Sequence, residues 1–196
     1  MTVVLASGSE TRRRLLVAAG VDILVRPADV DERAAERPLL DAGASPGEVA
    51  AALAGVKAIS VSERVPDALV IGADQTLDLE GERFTKPIDA DEARRQLLRL
   101  SGRTHQLHSA LACARRGELI WQYVDTAALS MRRLTPGDIG RYVAEAGPGI
   151  LGSVGAYQIE GRGIQLFDRV EGDYFTVLGL PLLPLLAFLR QEGVLP

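Results

Sequence analysis

Ala68-Leu69-Val70-Ile71-Gly72-Ala73, followed directly by Asp74-Gln75-Thr76, is the stretch on which the fold turns. The first part is a continuous apolar run of strand length with no polar alternation. Such a run suits a strand buried on both faces. Asp74 then falls at the carboxyl end of the expected strand, the edge where open α/β sheets bind ligands. A carboxylate there can hold a hard cation and orient a water. A turn-capping aspartate after a strand is the plain alternative.

Working outward, strands and helices are mixed without a clean βαβ alternation. Upstream lie strand TVVLAS, a helix over residues 10–19 closed by Gly20, and strand DILVRP. The segment PADVDERAAERPLLDAG (27–43) reads as polar and irregular, too charged for a core element. Ser45-Pro46-Gly47-Glu48 is a capping-box start with proline at the first helical position, and its helix runs to about residue 63. Downstream, TLDLEGERFTKP predicts a hairpin folded at Gly81, and a helix is expected over 91–100. HQLHSALACAR and LIWQYVDTAALSM, separated by Arg116-Gly117, predict a long antiparallel pair. Thr135-Pro136-Gly137-Asp138 starts another helix; a glycine-rich segment, strand-like AYQIEG and GIQLFDRVEG, and a buried C-terminal helix follow. The expectation is one α/β domain over residues 1–196, with a mixed sheet in two lobes around a cleft.

Bulk properties narrow the function classes. The chain has 196 residues, 47% hydrophobic and 24% charged, as a globular protein with a full core requires. A net charge of −4 offers no long-range attraction to a nucleic-acid polymer, and 5% aromatic content leaves little for base stacking. The most apolar run, VLGLPLLPLLAFL, is too short to cross a bilayer and carries two prolines, so no membrane partner is expected. The N-terminus lacks the basic and apolar regions of a signal peptide. The single cysteine, Cys113, lies in an apolar stretch and suits a reducing, cytoplasmic location.

Several features point to an anionic ligand. LASGSETRRRLL places Ser7 and Ser9 in a strand-to-helix loop and Arg12, Arg13 and Arg14 in the first helical turns. Cations there oppose the helix dipole, an arrangement that makes sense with an anion in place. Arg12 precedes Leu15 and Leu16 by three and four positions, so it shares their side and faces a cleft. Read alone, the segment is equally a solvated basic helix start. Lys57, one position from the stripe Val49, Leu53, Val56, and Lys86, before Pro87, can neutralise phosphate charge or simply snorkel at the surface. Asp29, Asp31 and Glu32 suit a magnesium site completed by substrate phosphates, or a solvated acidic loop. EAGPGILGSVGAYQIEGRG is not a Walker-type loop; its sharpest point is Glu160. His105 and His108 fall on opposite strand faces and cannot share a zinc.

Taken together, LASGS with its arginine-rich helix start, LAGVKA, VIGADQ, FTKP, LSGRTH, GAYQIEGRG and VEGDYFTVLGLP resemble the Maf family of nucleoside triphosphate pyrophosphatases, in order and spacing, along essentially the whole chain. The resemblance implies a two-lobed inosine-triphosphatase-like fold, often dimeric, so a homodimer is expected. It implies cleavage of nucleoside triphosphates to monophosphate and pyrophosphate with a divalent metal, Mg2+ or Mn2+. The family's proton acceptor falls on Asp74, its lysines on Lys57 and Lys86, its phosphate-contacting region on Ser7, Ser9, Arg12 and Arg13. Its loop acid falls on Asp31, so Asp74 and Asp31 are the expected metal ligands.

Three positions separate the family's dTTP/UTP and 7-methyl-GTP types. Here they are Thr11, Gln75 and Glu160. Gln75 and Glu160 follow the methyl-GTP pattern; Thr11 follows neither, and Glu10 replaces the family's proline. A carboxylate at Glu160 suits the N1–H and amine edge of guanine, whereas glutamine suits a pyrimidine. The alternative function is a nucleotide-binding regulator of septum formation and cell division with little catalysis.

Overall fold

The computed structural model describes residues 1–196. Its elements run β1 (Val3–Leu5), α1 (Glu10–Ala18), β2 (Ile23–Val25), α2 (Glu32–Asp41), α3 (Pro46–Ser62), β3 (Leu69–Leu79), β4 (Glu82–Phe84), α4 (Ala90–Leu100), β5 (Thr104–Arg115), β6 (Glu118–Met131), α5 (Pro136–Ala146), β7 (Phe167–Glu171), α6 (Tyr174–Val177) and α7 (Leu182–Gln191). The fold is α/β with one mixed seven-stranded sheet. Strand order is β2-β1-β3-β5-β6-β7, with β4 paired to β3. β2, β1 and β3 are parallel, and every other pairing is antiparallel.

β3 is the organising strand. One of its edges pairs with β5 from Val70 to Asp78. The other edge is shared: β1 covers Leu69–Ile71 and β4 covers Leu77–Leu79. Between them the strand has no neighbour on that side, and this gap opens the cleft. Asp74 therefore sits in mid-strand rather than at the strand's end. The strand continues because β5 keeps supplying hydrogen-bond partners after β1 has stopped.

The two faces of β3 have different tasks. Gly72, Asp74 and Thr76 face α3. Ala50, Ala54 and Ala58 of that helix meet Ala110, Ala112 and Ala114 of β5 in a core made only of alanine. Small residues on both surfaces let helix and sheet approach closely. Gly72 completes the fit: a Cβ there would lie 2.1 Å from the Ala54 carbonyl oxygen. The opposite face carries two separate hydrophobic cores. Leu69, Ile71 and Ala73 belong to one, with α1 and α7; Leu77 and Leu79 belong to the other, with α4 and α5. Gln75 stands between them. Its cross-strand neighbours are Ser109 and then Asp125, so a polar seam crosses three strands and divides the sheet into two lobes.

Most expected elements form. The hairpin folds at Gly81, and β5 and β6 turn at Arg116 and Gly117, both with positive φ (55° and 79°). α3 starts with the expected capping box. Cys113 is fully buried, and burial pushes its thiol pKa well up, so it packs as a small apolar residue.

Three expectations are corrected. Within 27–43, residues Glu32–Asp41 form α2. None of its residues is buried, so it has no core pattern to read; Asp31 caps it, accepting from the Ala34 amide at 3.0 Å. AYQIEG is not a strand. Tyr157 and Ile159 point inward and Gln158 and Glu160 outward, giving strand-like alternation. The backbone has no neighbouring strand there, however, and it turns through Gly155 and Ala156, at φ 77° and 59°. GIQLFDRVEG is a strand only from Phe167, after a short 3-10 turn over Arg162–Leu166.

Candidate active site

The gap in β3 opens into a cleft of about 680 Å³ lined by both lobes. Asp74 lies on its floor, and its Oδ1 accepts from Lys57 Nζ at 2.6 Å. The alanine contact between α3 and the sheet sets this distance, because it brings the backbone carrying Lys57 down onto β3. Glu32, on the first turn of α2, reaches the same ammonium at 2.9 Å. One cation thus sits between two carboxylates at the centre of the cleft.

Electrostatics at this centre are opposed. Burial drives the Asp74 carboxyl pKa up; Lys57 and Arg12 counter this only in part, so it lies above the ordinary range. Burial also pushes Glu32 up. There Lys57, with Lys86 and Arg12 behind it, more than compensates, and Glu32 lies below its ordinary value. The two acids are therefore pushed apart, Asp74 toward the proton-accepting role and Glu32 toward a permanent negative charge.

Arg12 fills the gap in the sheet edge. Its Nη1 donates to the otherwise free Ala73 carbonyl (3.0 Å) and to Ser7 Oγ (3.1 Å), and its Nε donates to the Gly179 carbonyl (2.8 Å). Sequence spacing pointed Arg12 at the cleft correctly. Much of its fork is nonetheless committed to protein acceptors, so it locks the two lobes and supplies positive charge at close range. Ser9 caps α1, accepting from the Arg12 amide at 3.4 Å, and Ser7 accepts from the Ser9 amide at 3.3 Å. Lys86 lies exposed at the cleft rim, beyond the hairpin.

The specificity positions also converge. Gln75 Nε2 faces Ser109 Oγ (2.9 Å) and the carbonyls of Thr176 (3.2 Å) and Val177 (3.1 Å). Ser109 Oγ already donates to the Thr176 carbonyl at 2.7 Å, so all these neighbours accept. This fixes the amide's orientation and leaves its carbonyl to face the Arg12 and Gly179 side of the cleft. Thr11 donates to Glu160 Oε1 at 3.0 Å, and Arg14 lies 3.5 Å from the same oxygen. Thr11, which matched neither family type, thus holds the Glu160 carboxylate from across the cleft mouth.

Two expected site residues are not brought in. Arg13 turns to solvent and pairs with Glu10 at 2.5 Å, outside the cleft lining. Successive helix positions differ by about 100°, so only one of the neighbouring arginines can follow the leucine side. Asp31 spends its carboxylate on the α2 cap, and the adjacent Glu32 enters the cleft instead. Sequence reasoning also missed Arg83 and Glu36, which line the cleft and pair at 2.6 Å. Recognising that 32–41 is helical would have found Glu36, since Glu32 and Glu36 are then one turn apart; nothing local marks Arg83 on β4.

Asp74 and Glu32 are the two oxygen donors that could hold a hard divalent cation; they form no group of three, Lys57 bridges them, and phosphate oxygens and water would have to complete the shell.

A family model for Maf-like proteins matches residues 2–192. The chain belongs to the Maf-like family. Among its relatives, a protein from Mesorhizobium japonicum named 7-methyl-GTP pyrophosphatase is 58% identical over 98% of this Maf-like chain and 97% of its own length. One from Granulibacter bethesdensis named nucleoside triphosphate pyrophosphatase is 49% identical over 100% and 99%. A solved structure of a nucleoside-triphosphatase (dITP/XTP pyrophosphatase) from Mycobacterium abscessus aligns with 98% of this chain and 94% of its own, at 16% identity and a TM-score of 0.45. No helix is long and apolar enough to cross a membrane.

Proposed function

We propose that this protein hydrolyses nucleoside triphosphates, guanine-type ones such as 7-methyl-GTP in particular, to the monophosphate and pyrophosphate, with Mg2+ or Mn2+ as cofactor. The observation that carries the reading is the Glu32–Lys57–Asp74 cluster in the sheet gap. A buried carboxylate with a raised pKa beside a lysine is a general base next to a source of charge stabilisation. The relatives' names agree with the substrate class.

Asp74 orients a water toward the α-phosphorus and takes its proton. The water oxygen bonds to phosphorus as the bond from that phosphorus to the α–β bridging oxygen breaks, and pyrophosphate departs with the electron pair. Lys57 and Lys86 offset the negative charge that builds on the phosphates, and Arg12 adds positive charge from the sheet gap. Asp74 and Glu32 would hold the divalent ion, which when bound supplies Lewis-acid charge to the triphosphate. At the base end Glu160, fixed through its Oε1, presents the rest of its carboxylate to a donor edge, and Gln75 presents a carbonyl. Both favour a base rich in N–H donors, and a carboxylate also suits a positively charged methylated ring.

A panel of normal and 7-methylated triphosphates, run with each metal in 18O-labelled water, tests this. Pyrophosphate as first product, with label in the monophosphate, is expected. Orthophosphate first, or label in the pyrophosphate, would overturn it. Glu160→Gln is expected to shift the ratio of guanine to pyrimidine turnover toward pyrimidines; an unchanged ratio sinks the base assignment.

A further inference from the structure

α2 is an unusual element to find against an active site. No residue of it is buried, and among helices and strands it packs chiefly on α3. Two of its contacts toward the cleft are ionic. Glu32 pairs with Lys57 at 2.9 Å, and Glu36, four residues on and so on the same face, pairs with Arg83 at 2.6 Å. The second pair is well shielded: the two side chains are 16% and 17% exposed. Arg83 projects from β4 into the same cleft as Lys86, three residues along the chain. Arg83 is an enclosed guanidinium in a cleft that also carries Arg12, Lys57 and Lys86, and a fork so placed suits an oxyanion. Here a glutamate carboxylate satisfies it.

Resting on the triphosphate reading above, we propose that Arg83 is a further polyphosphate-binding residue, and that Glu36 occupies it as a stand-in anion until substrate arrives. Arg83 Nη2 donates to Glu36 Oε2 at 2.6 Å, and a phosphate oxygen is an acceptor of the same kind, so it can take the carboxylate's place. The exchange favours the triphosphate, which brings several charges against one. Glu36 then returns to water at little cost, because α2 has no core anchor to break. The Glu36–Arg83 pair thus makes α2 a strap that competes with substrate for one phosphate position.

The two partners therefore have opposite effects, which a merely structural ion pair would not produce. The test measures the affinity for inorganic pyrophosphate by calorimetry, and kcat and KM for GTP, in wild type, Glu36→Gln and Arg83→Gln. Glu36→Gln should tighten pyrophosphate binding and lower KM several-fold. Arg83→Gln should weaken both by about tenfold, the scale of one charge-assisted hydrogen bond, with kcat changed much less. If Arg83→Gln fails to fold, Arg83→Lys serves: it keeps the charge, loses the fork and should weaken binding partway. Changes of the same sign in the Glu36 and Arg83 variants, or no change in either, would overturn the proposal. Wild type that binds pyrophosphate with the expected variant split, yet turns over no triphosphate, would instead count against the proposed reaction and leave the binding site standing.

Discussion

At the scale of single residues, opposing effects meet at Asp74. Burial raises its pKa, and Lys57 is the main group opposing that rise. Lys57→Met should let burial act with less opposition. The acid limb of the kcat profile should then move to higher pH, with activity recovering only at more alkaline values. A pH–rate profile checks this, and an unmoved limb would mean that Asp74 is not the titrating base. The same variant leaves two neighbouring carboxylates without their cation, and should cost stability of about 3–5 kcal/mol, the range for breaking a buried pair. Asp74 was legible in the sequence because an apolar run points straight at it. Lys57 was legible only as a lysine beside an apolar stripe, which describes many surface lysines. Its partner carboxylates come from β3 and α2, and no local pattern records that meeting.

Among the elements, α3 and β3 act as one unit. Alanine at Ala50, Ala54 and Ala58 forms a flat helix surface, and Gly72 accepts the helix backbone. Gly72→Ala would place a Cβ 2.1 Å from the Ala54 carbonyl oxygen, which only a shift of α3 can relieve. The expected result is a loss of about 1–3 kcal/mol in unfolding free energy, the usual range for overpacking. Because α3 carries Lys57, a drop in kcat should accompany it. Denaturant unfolding and steady-state rates check both, and an unchanged kcat would show that helix position does not set the Lys57–Asp74 geometry. These elements were readable because capping residues and apolar runs are local signals. α2 was missed for a physical reason: half of its ten residues are charged and Pro38 lies inside it, so it reads as a loop, and its charged face is explained only by Lys57 and Arg83, distant in sequence. The alternation in AYQIEG misled in the opposite direction. Burial of alternate side chains makes the pattern, but a strand also needs a neighbour.

At the scale of the molecule, one sheet supports two cores, and the seam Gln75–Ser109–Asp125 divides them. Each seam residue is one of several polar positions in its strand, so nothing local singles it out as a lobe boundary in the sequence. The seam is tied to α6: Thr176 Oγ1 donates to Asp125 Oδ2 at 2.6 Å. Inside the second core lies His105, hydrogen-bonded to Tyr157 Oη at 2.8 Å. Burial lowers its pKa from 6.5 to about 4. The folded protein therefore binds fewer protons at this residue than the unfolded chain between those values. Its contribution is intact above pH 6.5 and is lost as pH falls toward 4. The full loss is on the order of 3 kcal/mol. Melting curves across this window should fall less steeply for His105→Gln than for wild type. Parallel curves would place the acid sensitivity elsewhere.

The central claim is that Asp74, set in the sheet gap against Lys57, is the base. Asp74→Asn tests it most directly, because the amide keeps shape and hydrogen bonding but cannot take the proton. An unchanged far-UV spectrum, retained pyrophosphate binding, and kcat lowered by about 10²–10⁴, the range for losing a general base, are expected. A folded Asp74→Asn protein that turns over triphosphate at the wild-type rate would contradict it.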